Sequence, residues 1–271
     1  GNIGLEVYKN IKKNASDIQK KTGFKLNVTK ASARNIGKKR GVSFAKGVLE
    51  KDPFKIIKNS NIDIIVELIG GSDGMAKKVV FEAIKQNKHV VTANKALIAK
   101  HCDTLSILSE KHGVNLLFEA AVGGGIPIIR SIKQGLIANK LHHIYGILNG
   151  TTNYILTEME KRNENFPNVL KDAQRLGYAE SNPTADVDGH DAADKISILS
   201  SIGFGTKILN KGFLVEGIRN IEIDDIKFAK ELGYKIKLLA IAEKVNNQIK
   251  QRVHPCLIPF NLDVANIDDV T

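Results

Sequence analysis

An aspartate and a lysine one helical turn apart are the first residues in this sequence that could do chemistry. Asp191 and Lys195 lie four positions apart in segment 188–202, whose pattern predicts a helix. Both side chains would therefore lie on one helix face. A lysine can act as a general acid when burial or a second cation lowers its pKa. A solvated surface ion pair is the alternative that this spacing leaves open.

The segment before that helix, 180–189, reads as a polar loop rich in carboxylates. A loop of this kind followed by an Asp–Lys helix favours recognition of a small zwitterion. Asp186 and Asp188 do not begin a calcium loop, because the twelfth position is Ser197 where a bidentate glutamate is needed. No His/Cys group has the spacing of a zinc site.

Two more segments place reactive residue types at the ends of predicted strands. Lys95 follows the strand His89–Thr92, at the edge where ligands of open α/β sheets bind. Glu119 ends the predicted strand 115–119 and precedes the glycine run 123–125. Glycine leaves its neighbouring carbonyl groups sterically open, so this run could present oxygen ligands.

Strands and helices alternate through the first 120 residues. The apolar run Ile62–Ile69 reads as a strand buried on both faces of a parallel sheet. This alternation predicts a Rossmann-type doubly wound parallel sheet, an α/β fold. The further predicted elements are a helix over 4–20, a short strand over 25–33, and helices over 75–87 and 95–111.

The N-terminus fits the last two glycines of a dinucleotide-binding fingerprint. Gly1 and Gly4 are three apart and open a predicted helix. A plain helix cap would explain them as well, and the fingerprint's first glycine and strand would have to precede Gly1. Arg34 and Lys38 follow the second predicted strand, where bases suit a 2′-phosphate and thus favour NADP(H), unless they form only a basic surface loop.

The pattern changes after the glycine run, which predicts two domains, 1–120 and 121–271. Helices dominate the second domain, with strands predicted over 142–148, 235–243 and 248–254. We interpret it as an α+β substrate-binding and dimerisation domain.

Composition excludes several classes of protein. Hydrophobic residues make up 42% and charged residues 25%, with no apolar run long enough for a membrane span. The net charge of +11 comes from lysines scattered along helices without interleaved aromatics, so a nucleic-acid partner is not expected. Cys102 and Cys256 are far apart and no leader is recognisable, which favours a cytoplasmic protein.

The reactive segments, and their order, resemble homoserine dehydrogenase. The resemblance rests first on three segments: Val91–Leu97, Phe118–Pro127 and the Gly-Tyr-x-Glu run from Gly177 with Asp186, Asp191 and Lys195. It also covers Glu67–Gly71 and Leu148–Ile155. It extends from Gly1 to Thr271. It implies reversible NAD(P)-dependent reduction of L-aspartate 4-semialdehyde to L-homoserine, in threonine, methionine and isoleucine biosynthesis.

The resemblance also implies roles for individual residues. Lys195 would donate the proton, with Asp191 and Lys95 beside it as catalytic and substrate-binding residues, and Glu180 would bind the substrate amino group. Glu119 and the carbonyls of Val122, Gly124 and Ile126 would form a monovalent-cation site, usually for sodium. The expected cofactor contacts are Gly1, Ile3, Gly4, Arg34, Lys38, Thr92, Asn94, Lys95 and Gly177.

The family resemblance further implies a homodimer and a longer chain. We expect the first strand before Gly1, and further strands of the second domain after Thr271. Two alternatives are another Rossmann amino-acid dehydrogenase and a non-catalytic nucleotide-binding module. Glu180, Asp191 and Lys195 together argue against the first, and retention of Lys95 and Lys195 argues against the second.

Overall fold

A computed structural model describes residues 1–209 and 211–270, which divide into two units. The first unit is Gly1–Ala121 and the second is Val122–Thr271. Among the described residues, no helix combines the length and apolar character that crossing a membrane requires.

The first unit alternates helices with short parallel strands, as the sequence predicts. Strands β3, β4 and β5 form one parallel sheet in that order, and β1 pairs with β2 in a second one. The elements are α1 Asn2–Lys13, α2 Ala15–Thr22, β1 Ala31–Ser32, β2 Leu49–Glu50, α3 Pro53–Ile57, β3 Ile64–Glu67, α4 Met75–Lys85, β4 His89–Thr92, α5 Lys95–Lys111, β5 Leu116–Leu117 and the 3₁₀ turn Glu119–Ala121.

Strand β3 is buried on one face, so the prediction of burial on both faces is wrong here. Ile65 and Glu67 are buried, whereas Ile64 and Val66 are 45% and 44% exposed. Helix α4 packs against β3 and β4, which explains the buried face. Val79, Val80 and Ala83 of α4 are all buried and are the helix's contribution to that core.

The second unit is an α+β arrangement in which helices cover one face of a four-stranded sheet. The strand order is β6-β8-β9-β7, with β6–β8 and β8–β9 antiparallel and β7–β9 parallel. Its elements are α6 Ile128–Arg130, the π turn Ser131–Gly135, β6 His143–Gly146, α7 Gly150–Arg162, α8 Phe166–Leu176, α9 Thr184–Val187, α10 His190–Phe204, β7 Leu214–Val215, α11 Ile223–Glu231, β8 Tyr234–Val245, β9 Gln248–Pro259 and the 3₁₀ turn Asp263–Asn266.

Helices α7, α10 and α11 pack against β8 and form the core of the second unit. Leu238, Ala240 and Ala242 of β8 face these helices and are buried, because alternate residues of a strand point to one side. Val253 of β9 belongs to the same cluster. The helix that carries Asp191 and Lys195 is therefore anchored on the sheet by its apolar face.

Other local predictions also differ from the structure. The predicted helix over 4–20 is two helices, divided at Asn14. Only Ala31–Ser32 of the segment 25–33 is a strand. The polar segment 180–189 contains helix α9, and the next helix begins at His190 because Gly189, in the left-handed region at φ 83°, caps it.

Candidate functional site

The candidate site of the second unit includes the junction between β6 and α7, where Asn149 precedes the helix. Asn149 is 4% exposed and has extended backbone, which makes it the N-cap of α7. Its Oδ1 accepts a hydrogen bond from the Thr152 amide at 2.8 Å. An asparagine at this position satisfies one of the amide groups that the first turn of a helix leaves without a partner.

The amide nitrogen of Asn149 contacts two carboxylates. Nδ2 donates to Asp186 Oδ1 at 2.7 Å and to Asp191 Oδ2 at 2.9 Å. Asp186 lies on α9 and Asp191 lies in the first turn of α10. One side chain therefore links α7, α9 and α10, and sequence reasoning missed it.

Lys195 and Asp191 form an ion pair, as their predicted common helix face requires. Lys195 Nζ lies 2.7 Å from Asp191 Oδ2 and donates to the Leu148 carbonyl at 2.6 Å. The alternative of a solvated surface pair is wrong, because the side chains of Asp191 and Lys195 are only 2% and 18% exposed. The ammonium group has three N–H donors, and these two contacts use two of them.

The loop before α10 is held by backbone packing and an arginine. Arg219 Nε pairs with Asp188, and its Nη2 donates to Thr184 Oγ1 at 3.2 Å. A Cβ at Gly217 would overlap the backbone of Val187 and Asp188, so only glycine fits there. Nothing in the spacing of Arg219 predicted this contact, because it depends on a chain separation of about thirty residues.

Gly177 and Glu180 lie on the way from α8 to α9. Gly177 ends α8 in the left-handed region, with φ 81°, a conformation that favours glycine. Gln174 Nε2 donates to the Glu180 carbonyl at 3.0 Å, which fixes the backbone, while the Glu180 side chain is exposed. Glu180 is thus open to a ligand.

In the first unit, the predicted residues Thr92, Asn94 and Lys95 lie at one strand-to-helix junction. Asn94 caps α5 by accepting from the Leu97 amide at 3.1 Å, and its Nδ2 donates to the Gly71 carbonyl at 2.8 Å. The backbone N–H of Asn94 donates to Thr92 Oγ1 at 3.0 Å. Lys95 is the first residue of α5 and is half-buried.

A buried glutamate, for which the sequence patterns predict no role, supports that junction. Glu67 is 1% exposed at the end of β3 and accepts from Thr92 Oγ1 at 2.6 Å. Its other oxygen accepts from the amides of Ile69 and Gly70 at 2.6 and 3.1 Å. The carboxylate thereby joins the carboxyl ends of β3 and β4, the edge where open α/β sheets bind their ligands.

The predicted nucleotide residues of the first unit are compatible with a dinucleotide. Gly1 caps α1, Ile3 is 64% exposed, and a Cβ on Gly4 would lie 3.8 Å from Leu68 Cδ1, an ordinary contact. The N-terminus of a helix suits a pyrophosphate, because its free amide groups and its dipole favour negative charge. Close packing does not by itself require glycine at position 4.

In the basic loop 34–40, one basic side chain holds the loop's own backbone and others are exposed to solvent. Arg40 Nη1 donates to the Lys38 carbonyl at 2.7 Å, and its Nη2 donates to the Asn35 carbonyl, so Arg40 shapes the loop. The side chains of Arg34 and Lys38 are exposed. They offer cationic donors of the kind that suit a 2′-phosphate.

The predicted cation ligands lie in two turns. The prediction that Glu119 ends a strand is wrong, because β5 stops at Leu117 and Glu119 opens the 3₁₀ turn at the end of the first unit. In the second unit, the turn carrying Val122, Gly124 and Ile126 has Gly124 at φ 58° and is closed by the Ile126 amide donating to the Gly123 carbonyl at 2.9 Å. Among the described residues no group of three or more His, Cys, Asp or Glu side chains could hold a metal. The cation site at Glu119 and the carbonyls of Val122, Gly124 and Ile126 stays a prediction.

The C-terminal segment is tied to α7 by a buried lysine. Lys237 of β8 donates to the Ile267 carbonyl at 2.5 Å and to Asn153 Oδ1 at 3.0 Å, and pairs with Asp268 at 3.2 Å. Burial lowers the pKa of Lys237 despite Asp268. Burial opposes ionisation of Asp268, but the cations of Lys237, Lys235 and Lys161 outweigh it and lower its pKa.

Comparisons with known proteins cover both units. The NAD-binding domain of homoserine dehydrogenase matches residues 1–119, and the homoserine dehydrogenase domain matches 127–271. Homoserine dehydrogenase from Neisseria gonorrhoeae is 43% identical over 270 residues, and that from Pseudomonas aeruginosa is 42% identical over 270 residues. In both cases the match covers all of this chain and 62% of the relative's length.

The crystal structure of a homoserine dehydrogenase from Thiobacillus denitrificans superposes with a TM-score of 0.95 at 44% identity, over all of this chain and 62% of that one. Its fold agrees with the parallel strands of the first unit and the α+β second unit. The two domain matches together span nearly the whole sequence, and the structural match agrees with them. The chain therefore belongs to the homoserine dehydrogenase family, whose members are NAD(P)-dependent oxidoreductases.

Proposed function

We propose that this protein interconverts L-homoserine and L-aspartate 4-semialdehyde with NADP(H) or NAD(H), in threonine, methionine and isoleucine biosynthesis. The observation that carries the proposal is the nearly buried ion pair of Lys195 and Asp191. Membership of the family supplies the reaction class, and this pair supplies a proton donor of the right kind.

A nicotinamide cofactor supplies hydride transfer when bound. During reduction the aldehyde oxygen gains negative charge, which a nearby cation stabilises. Lys195 Nζ donates a proton to that oxygen, using the N–H that its contacts with Asp191 and Leu148 leave available. In the reverse direction the neutral amine accepts the proton from the hydroxyl group of homoserine.

The remaining polar residues bind and orient the amino acid. Glu180 attracts the substrate's ammonium group, because its carboxylate is exposed on a backbone that Gln174 holds. Asp191 fixes the Lys195 ammonium and contributes to the substrate site. Lys95, at the start of α5, is the second lysine of the proposed site.

We expect the cofactor to bind the first unit, and the family resemblance implies Gly177 as a further cofactor contact. Gly1, Ile3 and Gly4 would approach the pyrophosphate, and Thr92, Asn94 and Lys95 the nicotinamide end. The exposed cations Arg34 and Lys38 favour NADP(H) over NAD(H), because a 2′-phosphate adds charge that they can neutralise.

Two further features remain predictions. A sodium ion, held by Glu119 and the carbonyls of Val122, Gly124 and Ile126, would order the glycine turn without taking part in proton transfer. A homodimer built through the second unit is supported by the sheet face opposite its helices, where Tyr145 is 64% exposed beside Ile241.

A steady-state assay tests the proposal on the protein at its full natural length. Homoserine should be oxidised with either nicotinamide, and kcat/KM should be higher with NADP than with NAD. Lys195→Ala should retain NADP(H) binding and lose at least about 100-fold in kcat, the usual effect of a general acid. Lys171→Ala, at an exposed position of α8, is the matched control.

Two outcomes would reject parts of the proposal. Absence of homoserine turnover in the parent protein, with NADP(H) still bound, would favour another amino-acid dehydrogenase or a nucleotide-binding module. Near-parent kcat in Lys195→Ala would remove this lysine from the mechanism.

A further inference from the structure

Asn149 is linked to both members of the Asp191–Lys195 pair. Its side chain donates to Asp191 Oδ2 at 2.9 Å, and the carbonyl of the preceding residue, Leu148, accepts from Lys195 Nζ at 2.6 Å. Two adjacent residues thus contact the aspartate and the lysine at once. We infer that Asn149 is a positioning residue that sets the geometry of this pair, an inference that rests on the proposed function.

Helix capping does not explain why this residue is an asparagine. The cap needs only a side-chain acceptor for the Thr152 amide, and serine or aspartate serves that purpose about as well. Asparagine differs because its amide also donates two hydrogen bonds. In this protein both of these go to carboxylates, Asp186 and Asp191.

The two donated bonds also offset a repulsion between like charges. The oxygens of Asp186 and Asp191 that share Nδ2 lie within the roughly 4–6 Å over which neighbouring charges act strongly on each other. Hydrogen bonds to a carboxylate are stronger than those between neutral groups. Without them the two carboxylates would repel each other, and Asp191 Oδ2 would lose a bond that helps to hold it beside Lys195 Nζ.

The side chain is rigid enough to act in this way. Asn149 is 4% exposed, and Asp191 is buried at the start of α10. Both ends of the contact belong to helices whose first turns are fixed, α7 by its cap and α10 by Gly189. A small change at Asn149 therefore reaches Lys195 without an intervening flexible segment.

The experiment separates the cap from the donors, using the protein at its full natural length. Asn149→Ser keeps a capping acceptor and removes both amide N–H donors, leaving one hydroxyl on a shorter side chain. Asn149→Asp keeps the cap but adds a third carboxylate. Asn165→Ser, the same change at the exposed N-cap of α8, is the matched control. Measurements are kcat, KM for homoserine, NADP(H) dissociation constant, melting temperature and the solvent deuterium isotope effect on kcat.

We expect Asn149→Ser to lower kcat about 10- to 100-fold, the effect of losing one hydrogen bond to a charged group. The NADP(H) dissociation constant should stay within about 2-fold. The solvent isotope effect should rise, because a misdirected Lys195 makes proton transfer limiting. Asn149→Asp should lose at least as much activity, and Asn165→Ser should behave as the parent does.

An unchanged kcat and isotope effect in Asn149→Ser, with an active parent, would overturn the inference while leaving the proposed function intact. A parent without homoserine turnover would instead reject the proposed function. If Asn149→Ser does not fold, Asn149→Asp decides, because it retains shape and cap. A folded Asn149→Asp with parent-like kcat would overturn the inference.

Discussion

Asn94 and Asn149 occupy matching positions in the two units, yet their side-chain amides face different groups. Each follows a strand, caps a long helix and accepts a hydrogen bond from the backbone amide three residues later. Asn94 donates to the neutral Gly71 carbonyl, whereas Asn149 donates to the carboxylates of Asp186 and Asp191. The first junction, between β4 and α5 at Asn94, is bonded to the loop at Gly71. The second junction, between β6 and α7 at Asn149, is bonded to two carboxylates.

The difference shows that a capping residue can carry a second function that its sequence signal does not reveal. At the first junction the charge lies beneath the cap, on Glu67, and is fully engaged by Thr92, Ile69 and Gly70. At the second junction the charge lies on the ion pair itself, with Lys195 18% exposed. We therefore expect substitutions at the second junction to affect turnover, and those at the first to affect folding and cofactor affinity.

The largest effect is expected for Asp191→Ala at the second junction. Loss of this carboxylate removes the ion pair with Lys195 at 2.7 Å and the bond from Asn149. The ammonium would lose its direction, and kcat should fall by at least about 100-fold. Asp224→Ala, an exposed ion-paired residue of α11, is the control. A kcat within about 3-fold of the parent would contradict the assignment of charge positioning to this junction.

At the first junction, Glu67→Gln should reduce stability rather than turnover number. The neutral amide replaces a buried carboxylate that accepts three hydrogen bonds, so we expect a loss of about 2 kcal/mol in the free energy of unfolding. Denaturant titration measures it, with Glu110→Gln on the exposed side of α5 as the control. Equal stability of the two variants would show that the carboxylate does not hold the junction.

The sequence predicts much of this arrangement, because the signals for it are local. Helix α5 begins and ends where predicted, and Asp191 and Lys195 share a face because helical spacing alone requires it. The burial of that pair could not be predicted, since it depends on α7 and α9 packing around it. Asn149 has the residue type of a helix cap, but its two carboxylate partners lie about forty residues away.

The strand predicted over 25–33 and the loop predicted over 180–189 are two segments where local sequence signals were not sufficient. Only two residues of the first segment, Ala31 and Ser32, pair with β2, because a strand's extent depends on its partner. In the second segment, Pro183 starts the single turn of α9, which a polar composition concealed. Roles that depend on a bound cofactor, cation or second subunit remain predictions for the same reason: no local pattern determines them.

A smaller effect is expected for Asn94→Ser. Serine retains the cap of α5 but loses the bond to the Gly71 carbonyl, a neutral hydrogen bond worth about 1 kcal/mol. The NADP(H) dissociation constant should rise by less than about 10-fold, and kcat should change less than in Asn149→Ser. Ligand titration and steady-state kinetics measure both quantities. A kcat loss equal to that of Asn149→Ser would mean that the two caps are equivalent after all.

The smallest effect is expected at acid pH, in the stability of segment 267–270, which is hydrogen-bonded to α7 through Asn153. A Cβ on Gly150 would lie 2.8 Å from the Val270 carbonyl, so this segment contacts the second junction directly. The pKa of Asp268 is lowered below its ordinary 3.8, so its contribution to stability is complete above about pH 4 and is lost as pH falls through the lowered pKa. Lys237 would then lose its carboxylate partner.

Solvent reaches Asp268, so the loss should be less than about 1 kcal/mol. Hydrogen exchange of the amides of residues 267–270, compared between pH 5 and pH 3 after correction for intrinsic rates, should show weaker protection at pH 3. Asp268→Asn should abolish this pH dependence. If the pH dependence persists in that variant, the acid sensitivity arises elsewhere. The segment would then be held mainly by the bonds from Lys237 and Asn153 to the Ile267 carbonyl.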